Sequence, residues 1–63
     1  MPVIHINIRN VLTVDQKRDV AKKITDVIET SLGIDRQRTE IFFNYIPDEN
    51  FDKGGVLLMD EKK

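Results

Sequence analysis

The 63-residue chain contains no cysteine, which removes disulfides and thiolate zinc sites together. Its single histidine, His5, is too little for a histidine metal site, so neither a metal nor a cofactor is expected. Charge of one sign is missing as well: ten basic residues face eleven acidic ones, for a net of −1. A nucleic-acid binder carries a basic, patchy surface, and this composition does not supply one. No apolar run approaches the roughly 18 residues of a membrane span, and no signal-peptide pattern precedes the first strand. The expectation is a cytoplasmic protein without nucleic-acid or membrane partners.

Length is scarce too. A chain of this size makes one domain, residues 1–63, and buries only about 60% of the surface that its unfolded state exposes. Small folds lacking disulfides and metals commonly rely on association for stability. Self-assembly is therefore expected.

What is present is organised. Residues 3–8, VIHINI, alternate, with Ile4, Ile6 and Ile8 on one face and Val3, His5 and Asn7 on the other; this period of two predicts a strand. Thr13 followed by Gln16 fits a capping box. Val20, Ala21, Ile24, Val27, Ile28, Ser31 and Leu32 then recur at helical spacing. Gly33 suits the left-handed stop, so a helix over about 14–32 is expected. Residues 39–46, TEIFFNYI, read as a second strand with apolar bulk on both sides. Strand, long helix and strand make a βαβ unit with parallel strands. PDENFDKGG (47–55) reads as a loop, VLLM (56–59) as a short strand, and DEKK as a solvated tail. The fold class is thus α/β (α+β), a single βαβ unit with a short C-terminal strand or hairpin. One helix covers one face of a two-stranded sheet, and partner chains are expected on the other face and on the open edges.

Pro2 opens the first strand. Its plain role is an edge position where the missing N–H costs little. Its chemical role depends on Met1: once that residue is removed, Pro2 becomes a secondary amine that can accept a proton.

Pro2, Asp15-Gln16-Lys17, the 39–46 strand and Phe51-Asp52-Lys53-Gly54-Gly55 together resemble the 4-oxalocrotonate tautomerase family, in order and spacing through nearly the whole chain. The resemblance implies βαβ subunits paired into dimers and usually assembled into hexamers, with sites built from several subunits. A homo-oligomer follows, a hexamer first and a dimer or trimer as alternatives. It also implies that Pro2 is general base and acid in keto–enol proton transfer on a small enol or 2-oxo acid. Phe51 is expected to line the pocket and exclude water. Arg9, Arg38 and Ile46 complete the expected substrate-contacting set.

The chain departs from the family where it matters most. Two arginines ordinarily hold the substrate carboxylate and carbonyl, and the equivalent positions here are Leu12 and Glu40. Developing enolate charge needs cations or donors there. Arg9 lies at either the pocket or solvent. Arg38 is either a substrate ligand or a surface partner of Glu40, and Arg36 is a further option. His5, Asn44 and Asn50 fit interface, hydrogen-bonding or turn roles, and Phe43 and Tyr45 fit the core. Two functional readings follow: a tautomerase acting through Pro2, and a weak or inactive tautomerase-fold subunit of a mixed oligomer.

Overall fold

The computed structural model describes residues 1–61. Strand β1 (Val3–Ile8) leads to helix α1 (Val14–Leu32), and strand β2 (Glu40–Tyr45) follows after a 3₁₀ turn at Arg36–Arg38. The strands pair in parallel, with Ile4 opposite Ile41, Ile6 opposite Phe43 and Ile8 opposite Tyr45. The expected βαβ unit is present, and the helix bounds agree with the reading of its ends. The Thr13 side chain accepts from the Gln16 N–H while the Gln16 side chain accepts from the Thr13 N–H, at 3.1 and 2.8 Å. Gly33 closes the helix at φ 66°, its N–H bonded to the Glu29 carbonyl.

The C-terminal quarter is more structured than its composition suggests. A 3₁₀ turn, Asp48–Asn50, precedes strands β3 (Asp52–Lys53) and β4 (Val56–Leu57), which form an antiparallel hairpin. Gly54 and Gly55 are its two central turn residues, at φ 65° and 85°. Positive φ at both positions is what a two-residue hairpin turn demands and what side chains resist. The 56–59 run is only half strand: after Leu57 the chain turns into a short helix, α2 (Leu58–Glu61). A four-residue apolar run carries no period by which to tell the two apart. Asp60 and Glu61 of the expected tail belong to α2 and are exposed; residues 62–63 lie outside the described residues.

Among the described residues, no side chain is fully buried. Half-buried Val20, Ala21, Ile24 and Ile28 of α1 match half-buried Ile4, Ile6, Ile8, Ile41 and Phe43 of the sheet, defining one apolar seam. Three members of the expected helical stripe fall outside it: Val27 and Leu32 are 58% and 63% exposed, and Ser31 is exposed too. The opposite sheet face is open and carries Phe42 at 52% exposure. The accessible surface is 5059 Å², where a compact monomer of this mass has about 4,200 Å². The radius of gyration is 15.5 Å, against about 11 Å for a compact domain of this length. The chain is thus more extended than a compact domain of its length and carries exposed apolar side chains on its outside.

Candidate functional site

The candidate residues divide between the two ends of the β1–β2 sheet. Pro2 is half-buried at the amino end, and its carbonyl accepts the Glu40 N–H at 3.0 Å. Parallel pairing therefore sets the start of β2, and Arg38 lies two residues before it at the same end of the sheet. Arg38 is exposed and forms no ion pair among the described residues, with Glu40 or any other acid. Arg36 is the arginine that is captured. Its guanidinium donates to Glu29 Oε1 at 2.7 Å and to Asp26 Oδ1 at 3.0 Å, tying the 3₁₀ turn to α1. Hydrogen bonds from Lys22 and then Arg36 hold the Asp26 carboxyl below its ordinary value. Those to Asp26 and then Glu29 raise Arg36 further. Arg36 is thus an anchor, and of the two arginines in this turn Arg38 is the one left facing solvent.

Arg9, Ile46 and Phe51 gather at the other end. The Ile46 N–H donates to the Ile8 carbonyl at 2.8 Å, extending the ladder past Tyr45. Arg9 follows Ile8 directly, and its Nη2 donates to Asp48 Oδ1 at 3.0 Å. The same guanidinium carbon lies 4.6 Å from the Phe51 ring centroid, within cation–π range. Arg9 is therefore neither free in solvent nor enclosed: one edge is paired, one face is covered, and 41% of the side chain is accessible. Beside it is a cleft of about 240 Å³ lined by Ile8, Leu12, Phe43 and Tyr45, with Asn10 and Lys17 among its polar walls.

Pro2 and Arg9 lie about 23 Å apart, seven extended residues at 3.3 Å each. One chain puts Pro2 and Arg38 at one end of the sheet and Arg9, Phe51 and Ile46 at the other, and it does not bring the two groups together. The open sheet face lies between them. There His5 stacks on Phe42 at 5.3 Å, and Asn44 Nδ2 donates to Asn7 Oδ1 at 3.2 Å, so these polar residues are engaged with one another. Asn50 sits in the 3₁₀ turn, its N–H bonded to the Pro47 carbonyl.

Two residues escape the sequence reading. Asp48 meets Arg9 across 39 positions, which only the parallel register makes near. Lys17 follows the helix cap by one turn, and its place beside Leu12 becomes visible once the cap geometry is fixed. Among the described residues, no group of acidic, histidine or cysteine side chains fits a metal ion, and no helix is long and apolar enough to cross a membrane.

Comparison with known proteins converges on one family. The family model described as tautomerase enzyme matches residues 2–61. A probable tautomerase of Lactococcus lactis is 33% identical over 57 residues, covering 90% of this chain and 93% of that one. A 4-oxalocrotonate tautomerase isozyme structure from Methylibium petroleiphilum superposes with a TM-score of 0.76 at 26% identity, covering 98% of this chain and all of the other. At 13% identity the fold alone is shared with a heterohexamer 4-oxalocrotonate tautomerase from Chloroflexus aurantiacus, TM-score 0.75, covering 95% of this chain and 97% of that one.

Proposed function

This chain belongs to the tautomerase family, and from that premise we propose that it is a cytoplasmic keto–enol tautomerase whose base is the amino group of Pro2 after loss of Met1. The observation that carries the reading is the position of Pro2 at the outer end of β1, at the same end of the sheet as Arg38, which has no acid partner among the described residues. An α-amino group has a pKa of about 7.7–8.0. A nearby cation or partial burial lowers it toward neutrality, where a proton shuttle works best. The free amine takes the enol O–H proton as the C=O bond forms, and the resulting ammonium returns a proton to carbon. The reverse sequence regenerates the enol and the neutral amine. Arg38, and Arg9 from the other end, offer donors to the substrate oxygens, while Phe51 and Ile46 wall the pocket.

Because Pro2 and Arg9 stand at opposite ends of one strand, a complete site takes residues from more than one subunit. The reading is a homo-oligomer, with a hexamer the expected form. The deciding experiment uses protein whose intact mass confirms the loss of Met1, assayed with phenylenolpyruvate. Pro2→Ala is expected to lower turnover by about 10²–10⁴-fold, the usual contribution of a positioned base. Unchanged turnover removes Pro2 from the mechanism.

Leu12 and Glu40 favour a second reading, a subunit that supplies scaffold to an arginine-bearing partner chain, as the heterohexamer neighbour makes conceivable. Full activity from the purified single-sequence assembly excludes it.

A further inference from the structure

The cleft beside Arg9 is apolar over most of its wall, and its charge is unbalanced. Ile8, Leu12, Phe43 and Tyr45 supply carbon surface, and Lys17 reaches in from the first turns of α1. The next lysines along the helix, Lys22 and Lys23, are held by Asp26 and Asp19 at 3.0 and 2.9 Å. Lys17 forms no such pair among the described residues. Arg9 is already matched, with Asp48 at 3.0 Å and the Phe51 ring over its face. Among the residues lining the cleft the uncompensated cation is therefore Lys17. Its four-carbon stem can lie along Leu12 while the ammonium stays at the mouth.

We propose that this cleft binds a small monocarboxylate with an apolar body, the carboxylate on Lys17 and the hydrocarbon against Leu12, Phe43 and Tyr45. Lys17 then supplies the cation that Leu12 does not. Its volume is below the ~300–1,000 Å³ of pockets that take drug-sized ligands, which limits the occupant to a metabolite. Within the cleft itself a second carboxylate would be set against carbon with no further lining cation to receive it, at the cost of its hydration. Carried over to the reaction, which rests on the function proposed above, this selects enols of 2-oxo acids with one carboxylate and an apolar side chain.

The test is a ¹H–¹⁵N NMR titration of the assembled protein with hexanoate and with adipate, which is of equal chain length. Hexanoate is expected to shift the amides of Leu12, Lys17 and Tyr45 and to bind about tenfold more tightly than adipate, whose second carboxylate must give up hydration against the apolar wall. Lys17→Gln keeps helix propensity and is expected to weaken hexanoate about tenfold, while Lys17→Arg stays within about threefold. Adipate binding as well as hexanoate, shifts elsewhere, no binding, or a Lys17→Gln variant that binds normally would each overturn the proposal. Kinetics separate the two readings: Lys17→Gln should raise KM for a monocarboxylate enol with kcat little changed. If hexanoate binds as stated and no enol turns over, only the catalytic reading fails.

Discussion

The two ends of the β1–β2 sheet are made by the same two strands and gather different residues. At the amino end stand Pro2 and Arg38, the latter in solvent and without an ion pair among the described residues. At the carboxyl end Arg9 is paired with Asp48 and covered by Phe51, next to an apolar cleft. In the proposed function one end offers the base with little shelter, and the other offers shelter without a base. A straight parallel pair cannot fold back on itself, so under the proposed function the two halves would have to meet between chains.

Mixing inactive variants puts this contrast to its hardest test. Pro2→Ala and Arg9→Ala are each expected to be nearly inactive alone. Unfolded together and reassembled one to one, they should recover about a quarter of native activity, because that share of shared sites draws both intact residues by chance. No recovery would mean that each site is built within one chain.

A smaller effect separates the ends by pH. The anchor of the amino end is Arg36 on Asp26 and Glu29, and the Asp26 carboxyl is held below its ordinary value of 3.8. A depressed carboxyl stabilises the folded state fully above its unfolded pKa and loses that contribution as pH falls through the folded one. Asp26→Asn is therefore expected to lower the melting temperature at pH 7, with the gap to the native chain closing below pH 3.8. A gap that persists in acid would assign the effect to packing.

The smallest expected change is at Thr39, between Arg38 and β2. Its Oγ1 is buried without a hydrogen-bond partner among the described residues, a desolvation cost that an isosteric valine removes. Thr39→Val should leave stability unchanged or raise it by up to about 1 kcal/mol in denaturant titration. A loss would reveal a partner for that hydroxyl in the assembled protein.

Legibility in the sequence followed the range of the forces involved. The bounds of α1 are readable because Thr13, Gln16 and Gly33 act on backbone within four residues of themselves. Strand faces are readable from alternation, since Ile4, Ile6 and Ile8 do share the half-buried side. The 56–59 run was too short to show a period, and its division after Leu57 follows from the Gly54–Gly55 turn and the pairing it sets. In the candidate site the family pattern was legible and the pairing of charges was not. Nothing local says that Arg36 rather than Arg38 is captured, because its acids lie seven and ten residues back across a turn. Likewise Asp48 becomes Arg9's partner only through the register that places Ile46 beside Ile8.

The absence of any fully buried side chain among the described residues carries a consequence for quantity. If neighbours supply both the interior and the missing half of each site, folding and activity draw on one mass-action equilibrium. Dilution should then abolish rate per chain and protease resistance at the same concentration. For such a protein the amount made by the cell is itself a control: below a threshold there is no slow enzyme, only loose chain.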